Sequence, residues 1–163
     1  MRPSRASIPL REGRNLLRPL TGKDDSALQS EGYIDIDATG NLVAAHDAAT
    51  AHLGAPWRMP TDAEFYALVG NCDRTWTTKN GVNGYEVRGH GDYASNSIFL
   101  PAAGYGFYST LDSPDSRGGC WSSTSGSNNL NGARSLSFGS DYFYLNDYYI
   151  FFGLSVRPVR DAD

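Results

Sequence analysis

The sequence has no long apolar run. Nowhere in its 163 residues do consecutive apolar residues approach the ~20 that a transmembrane helix requires. The first residues, MRPSRASIPLREGRNLL, also lack the uninterrupted apolar stretch of a signal peptide. We therefore expect no membrane insertion by this chain, and we expect any export signal to lie outside it.

Basic residues and cysteines are also scarce. The chain has only two lysines among its 14 Lys and Arg residues, and its formal net charge is -4. Such a chain has no positive field to attract phosphate groups, so we expect no nucleic-acid binding. Its two cysteines, Cys72 and Cys120, cannot make a disulfide framework and lack the spacing of metal ligands. We interpret both as ordinary thiols.

The N-terminal part of the chain combines an irregular arm with a short hairpin. Residues 1–31 show no sustained period, and we interpret them as an arm whose order depends on docking against a single domain over residues 32–163. The segment GYIDIDATGNLV alternates and then turns at Gly40, which predicts a hairpin. It is also similar to the start of an EF-hand loop, but position twelve is His46 instead of an acid, so we expect no calcium site.

Two helices are predicted next. The Ala-rich stretch 44–53 is followed by Gly54, which is typical of a helix that ends on a glycine. The second helix is marked by a capping box, in which Thr61 and Glu64 satisfy each other's backbone N–H groups. Its apolar residues share one face: Phe65, Leu68 and Val69.

After Cys72 the pattern changes to short strand-like segments. These are TWTT, GYEV, SIFLPAAGYG and CWSST, followed by the alternating pairs Leu136/Phe138, Phe143/Leu145 and Leu154/Val156, which predict three strands with one buried face. The predicted fold class is α+β, with two helices followed by short antiparallel strands. The residues expected to tolerate substitution least are Trp57, Phe65, Leu68, Trp121, Phe138 and Val156.

The C-terminal segment has an unusual composition. Ser, Gly and Asn fill 13 of the 20 positions 122–141, and eight of the 15 residues 138–152 are Tyr or Phe. Antibody recognition loops use the same mixture, because Tyr offers a large contact at low entropy cost and the small polar residues adapt their hydrogen bonds. If Phe143 and Leu145 point inward, Tyr142, Tyr144 and Asn146 must point outward. The segment therefore indicates a binding surface.

Five ordered motifs between Ala44 and Arg160 resemble a known family. They are PWRMPTDAEF, TWTTKNGVNGY, SNSIFLPAAGYG, CWSST and GLSVRPVR. Together they resemble bacterial domains with the C-type lectin fold of the formylglycine-generating-enzyme type. Among these, they resemble the Fibrobacter-type major paralogous surface domain and the variable proteins of diversity-generating retroelements. The resemblance implies that fold for this chain.

In the retroelement proteins, error-prone reverse transcription at template adenines rewrites a C-terminal segment between a WSS-type motif and a terminal G-x-S-V-R-P-V. The rewritten residues lack Lys, Glu, Gln, Met and Trp, and the 42 residues 122–163 of this chain lack all five. The resemblance thus implies a variable region at about 122–154. It implies these exposed, ligand-binding residues: Arg134, Ser135, Ser137, Gly139, Asp141, Tyr142, Tyr144, Asn146, Asp147, Tyr148, Tyr149, Phe151 and Phe152.

The resemblance to formylglycine-generating enzymes makes an enzyme the rival function. Those enzymes work through a pair of C-terminal cysteines, and this chain has none after Cys120, so we expect neither catalysis nor a cofactor. His46 and His52 are six residues apart and fall on different faces of a helix. His90 is interpreted as a solvated loop residue. The calcium-binding triplet of animal C-type lectins is missing, and we expect no metal.

The resemblance also implies a partner and a location. The partner would be a protein or glycan on another cell or surface, and the protein would be displayed on a bacterial cell surface or a phage particle. Two other functions remain open. One is an invariant structural or adhesive surface module of the same fold, and the other, less favoured, is an enzyme similar to the formylglycine-generating group. The sequence leaves the oligomeric state open.

Overall fold

The computed structural model describes residues 25–126 and 132–161 and has an α+β architecture. Its α-helices are α1 (Asp25–Ser30), α2 (Ala48–Leu53) and α3 (Asp62–Asn71), and a 3-10 helix spans Gly91–Tyr93. Its strands are β1 (Asp73–Lys79), β2 (Val82–Arg88), β3 (Ser97–Pro101), β4 (Tyr105–Phe107), β5 (Thr110–Asp112), β6 (Arg117–Ser125), β7 (Gly132–Gly139) and β8 (Tyr142–Tyr149). The predicted class, with helices first and strands after, is confirmed.

Helix α1 lies inside the segment predicted to be an irregular arm. Leu28 is fully buried there, and its carbonyl accepts a 2.9 Å hydrogen bond from the N–H of Tyr33. The prediction of two helices is therefore wrong, because α1 is a third. Six residues make fewer than two turns, which is too short for an apolar period to be recognised. Residues 1–24 of the predicted arm lie outside the described residues.

The hairpin predicted after the arm is present in a minimal form. A single antiparallel bridge pairs Ile36 with Leu42, and Gly40 has a φ of 82° in the turn between them. The Asp37 carboxylate accepts hydrogen bonds from the backbone N–H groups of Thr39, at 2.8 Å, and Asn41, at 3.2 Å. This carboxylate therefore orders the turn.

Both predicted helices form, with one shifted start. Helix α2 begins at Ala48 instead of Ala44, because Asp47 caps it by accepting a 2.8 Å hydrogen bond from the Thr50 N–H. Gly54 ends this helix with a φ of 76°, as predicted. Helix α3 has the predicted capping box between its N-cap Thr61 and Glu64.

The strands form three antiparallel sheets, with orders β1-β2-β3, β4-β5 and β6-β7-β8. The last predicted strand, around Leu154 and Val156, is wrong. The segment instead makes isolated bridges to three different partners: Gly106 with Gly153, Cys120 with Ser155, and Arg58 with Val159. A strand needs one continuous partner, and Pro158 has no N–H to extend a ladder.

The hydrophobic core lies between helix α3 and two of the sheets. Its buried members are Phe65, Tyr85, Val87, Leu100, Cys120, Leu136 and Phe138, with Leu68, Val69, Phe143 and Leu145 packed against them. Among the residues predicted to be intolerant, Phe65 and Phe138 are buried, while Leu68, Trp121 and Val156 are half-buried. Trp57 is 36% exposed, with the Arg160 guanidinium 5.8 Å from its ring centroid, so it lies outside the core and its intolerance stays a prediction.

Candidate functional site

The β7–β8 hairpin positions the predicted binding residues. Its register pairs Leu136 with Leu145 and Phe138 with Phe143, and all four side chains contact the core. Since side chains alternate along a strand, the intervening residues of β8 lie on the opposite face of the sheet. We call the first side the core face of sheet β6–β8 and the second its outer face. The outer face carries Tyr142, Tyr144, Asn146 and Tyr148 from β8.

Small residues lie beside these tyrosines. On the outer face, one row across the sheet is Arg117, Gly139 and Tyr142, and the next is Gly119, Ser137 and Tyr144. Because Gly119, Ser137 and Gly139 are small, the outer face has a cavity of about 110 Å³, which we call the recess. The recess is lined by Tyr105, Arg117, Gly118, Gly119, Ser137, Tyr142, Tyr144, Asn146, Tyr148 and Leu154.

Three predicted residues are buried, so the expectation of exposure is wrong for them. Ser135 is 0% exposed and donates a 3.2 Å hydrogen bond to the Asn146 carbonyl. Gly139 is covered by the ring of Tyr142, whose Cζ would lie 3.0 Å from a Cβ added there. Ser137 is 8% exposed and forms part of the floor of the recess. Ser137 and Gly139 still contribute to the outer face, because Ser137 lines the recess and the ring of Tyr142 lies against Gly139.

Two other predicted residues belong to the core side of the sheet. Arg134 donates from Nε to Asp62 at the start of α3, at 2.9 Å, and from an Nη to Asp147, at 3.3 Å. In the β7–β8 register, Arg134 pairs with Asp147, and the neighbouring pair is Ser135 with Asn146. Arg134 and Asp147 therefore point to the other side of the sheet from that pair. These side chains are only about one-fifth exposed. The expectation that Arg134 and Asp147 are exposed is therefore wrong, because they connect the sheet to α3.

The remaining predicted residues extend the site. Asp141 is exposed in the β7–β8 turn, and Tyr144 and Tyr149 are 48% and 52% exposed, as predicted. Phe151 and Phe152 are half-buried and join a group of rings with β4. The ring of Phe152 is stacked on Phe107 at 5.0 Å.

We call this group the aromatic cluster: Tyr105, Phe107, Tyr148, Phe151 and Phe152. Its other contacts include Tyr105 with Phe152 at 5.5 Å and Tyr148 with Phe152 at 4.8 Å between ring centroids. The sequence analysis missed Tyr105, Phe107 and Arg117 as parts of the site. The two aromatic residues lie in the GYGF run, which overlaps the end of the SIFLPAAGYG motif. Their spacing of two residues was the available signal.

Two phenols of the recess, those of Tyr142 and Tyr148, have raised pKa values. Burial raises the pKa of Tyr142 and of Tyr148 above the ordinary tyrosine value, and the nearby positive charge of Arg117 opposes this rise at both residues. Arg117 is therefore close enough to act electrostatically on two walls of the recess. At neutral pH both hydroxyl groups can donate hydrogen bonds.

The cysteines lie away from the outer face. Cys120 is a buried core residue, and burial raises the pKa of its thiol to about 11. Cys72 packs against the same core, and both are free thiols. Within residues 25–126 and 132–161, no group of three or more His, Cys, Asp or Glu side chains is arranged to hold a metal ion. His90 lies 3.0 Å from Asp73 on the surface.

Comparison with known proteins gives no match to a family model, to a curated protein or to a solved structure. The helices described here are all too short or too polar to cross a lipid bilayer. Residues 127–131, inside the predicted variable region 122–154, lie outside the described residues.

Proposed function

We propose that this protein is a non-catalytic, receptor-type binding protein that contacts its ligand through the outer face of sheet β6–β8. The observation that carries the proposal is the line of Tyr142, Tyr144 and Tyr148 along one strand, on the face opposite the core. Tyr142 and Tyr148 are half-buried, Tyr144 is exposed, and the hydrophobic core described above includes none of the three. They surround a recess instead of filling the interior.

The composition of this face suits protein–ligand contact. Tyr142 and Tyr144 have ring centroids 5.4 Å apart, so their rings support each other and lose little freedom when they bind. Aromatic anchors that stand beside a pocket are the residues in which binding energy concentrates. Asn146 and Ser137 add small polar groups between the rings. The partner is a protein or glycan on another cell or surface.

The scaffold proposed for this surface is the C-type lectin fold of the formylglycine-generating-enzyme type. On that scaffold the C-terminal segment would be written by a diversity-generating retroelement. The separation of the two faces supports this part of the proposal, because outer-face positions such as Tyr144 can change without altering the core residues beside them. Display on a bacterial surface or a phage particle follows from the same resemblance.

The buried thiol supports a function without catalysis. A thiol whose pKa is about 11 remains protonated at neutral pH, and the thiolate is the reactive form. Cys120 is also enclosed by Leu136 and Phe138, away from the recess. It is therefore a core residue in this proposal.

Binding is tested with a phage-displayed library of random peptides and with a glycan array, each probed with the full chain. We expect the Tyr142→Ala/Tyr144→Ala double variant to lose the ligands that the wild type selects. The matched control is Tyr66→Ala/Tyr93→Ala, which removes two tyrosines that are 71% and 69% exposed but lie outside the site. If both double variants keep the same ligands, the binding site has been misplaced.

Diversification is tested separately, in the DNA that adjoins the gene. We expect a near-repeat of the codons for residues 121–160 beside a reverse-transcriptase gene, with differences that fall at template adenines. If this DNA has neither feature while the binding result holds, the protein is an invariant surface module that uses the same face.

A further inference from the structure

We infer that the recess holds an acidic side chain, Asp or Glu, of a protein partner, with Arg117 as the residue that recognises its carboxylate. This inference rests on the proposed function, because it names the ligand group for the same face. It is carried by the charge, the hydrogen-bond donors and the size of the recess.

Arg117 provides the charge. Among residues 25–126 and 132–161, it is the one charged residue that lines the recess. Throughout the part of the chain that the structure describes, its guanidinium group makes neither a hydrogen bond nor an ion pair. Two carboxylates lie close to the lining residues: Asp112 accepts a 3.2 Å hydrogen bond from the Tyr105 hydroxyl, and Asp141, exposed in the turn, acts electrostatically on Tyr142. A guanidinium group with free donors favours a planar anionic partner such as a carboxylate.

The other polar groups of the recess can each donate a hydrogen bond. Ser137, Asn146 and the hydroxyl groups of Tyr142 and Tyr148 line the same space. Both phenols are protonated at neutral pH, and burial raises their pKa values further, so each can donate to an anion. An anion that enters is thus met by donors on several sides, whereas a cation would meet Arg117.

The volume favours a single side chain over a sugar. The recess measures about 110 Å³. A cavity of about 150 Å³ holds a molecule the size of benzene, so a short acidic side chain fits this space, whereas the substituted ring of an acidic sugar would have to extend beyond it. Tyr105 and Tyr148, which line the recess and pack against Phe152, supply apolar area of the kind that protein interfaces cover.

The test uses peptides selected from the random library by the full wild-type chain. We expect the selected peptides to share an Asp or Glu, and we expect its replacement by Asn or Gln to lower affinity roughly tenfold or more. In the Arg117→Gln variant the acidic and amide peptides should bind equally, which is the result of a double-mutant cycle between two interacting groups. Arg117→Lys should retain part of the preference, and Arg88→Gln, a matched exposed arginine on β2, should retain all of it.

Each other result overturns the inference. Selected peptides without a shared acid would leave the proposed binding surface in place but contradict the carboxylate pocket. An acid whose replacement costs the same in the wild type and in Arg117→Gln would show that it binds elsewhere. If an acidic glycan on the array binds through Arg117 and no peptide does, the ligand group is a sugar acid instead of a side chain. If nothing binds, the proposed function fails together with the inference.

Discussion

The two faces of sheet β6–β8 belong to the same strands but carry different kinds of side chain. On the core face, Phe138 and Leu136 are completely buried and contact helix α3 through Phe65. On the outer face, one residue away along each strand, small residues lie beside tyrosines. The comparison teaches that the two-residue period of a strand places the residues of the core and those of the proposed binding surface on opposite faces of a single hairpin.

The strongest test of this comparison truncates one ring on each face. Phe138→Ala should lower the free energy of unfolding by about 3 to 5 kcal/mol, because the ring is fully buried and its loss leaves a cavity. Tyr144→Ala should change it by no more than about 0.5 kcal/mol, since its side chain is half in solvent. Urea denaturation followed by circular dichroism measures both.

The paired measurement also has a failure mode. Phe65→Ala serves as a second core variant, because it lies on α3 against the same cluster. If Tyr144→Ala destabilises the protein as much as Phe65→Ala, the outer face is part of the core and the division of the sheet is wrong.

A smaller contrast is expected for two adjacent glycines of β6. A Cβ added at Gly118 would overlap the ring of Phe138 and lie 3.0 Å from the Pro101 carbonyl oxygen. A Cβ added at Gly119 would meet the end of the Leu154 side chain at 3.1 Å, which can move aside. We expect Gly118→Ala to cost about 1 to 3 kcal/mol and Gly119→Ala at most about 0.5 kcal/mol in unfolding free energy.

For peptide binding we expect the opposite order, with a direct effect of Gly119→Ala on the recess and none of Gly118→Ala. Gly119→Ala narrows the recess, so it should weaken the capture of selected peptides while the melting temperature stays near the wild-type value. A Gly119→Ala variant that unfolds as easily as Gly118→Ala would contradict the assignment of the two glycines to different faces.

Two arginines of the same sheet form the next comparison. Arg134 is partly buried and bridges Asp62 and Asp147, so Arg134→Gln removes one ion pair from each of these carboxylates. We expect a loss of about 1 to 2 kcal/mol in unfolding free energy, between the values for exposed and buried pairs. Arg117→Gln should change stability by less than about 0.5 kcal/mol, because the residue is exposed. Equal losses in chemical denaturation would contradict the different roles of the two residues.

The features that could be predicted from the sequence are local in the chain. The capping box needs only Thr61 and Glu64, three residues apart, and the outward direction of Tyr144 follows from its neighbours Phe143 and Leu145. These patterns involve single elements, whose periods are fixed by backbone geometry. They were sufficient to find the α+β class, two of the helices and the tyrosine face.

The features that were missed depend on contacts between distant segments. Arg134 and Asp62 are 72 positions apart, so nothing near Arg134 in the sequence indicates that it faces α3. The packing of Phe107 on Phe152 likewise joins two segments whose patterns are unrelated. Helix α1 was missed for a different reason, which is that six residues hold too little periodicity.

The smallest expected effect concerns acid, and it belongs to the scaffold around α3 instead of the outer face. The Arg58 guanidinium donates to both oxygens of Glu64, at 2.7 and 2.8 Å, and this interaction lowers the pKa of Glu64 from 4.5 to about 2. Since the pKa is lower in the folded state, the carboxylate stabilises the fold above pH 4.5, and this contribution is lost as the pH falls toward 2.

The acid prediction is checked by urea denaturation at a series of pH values between 2 and 5. We expect Glu64→Gln and Arg58→Gln each to flatten part of the loss of unfolding free energy in this range, because either change removes the pKa shift. The effect should be modest, since the Glu64 side chain is 42% exposed and solvent screens the pair. A wild-type slope in both variants would mean that acid acts on other carboxylates. Arg117→Gln, which changes only the outer face, should retain the wild-type slope and so separates the two faces by pH as well as by stability.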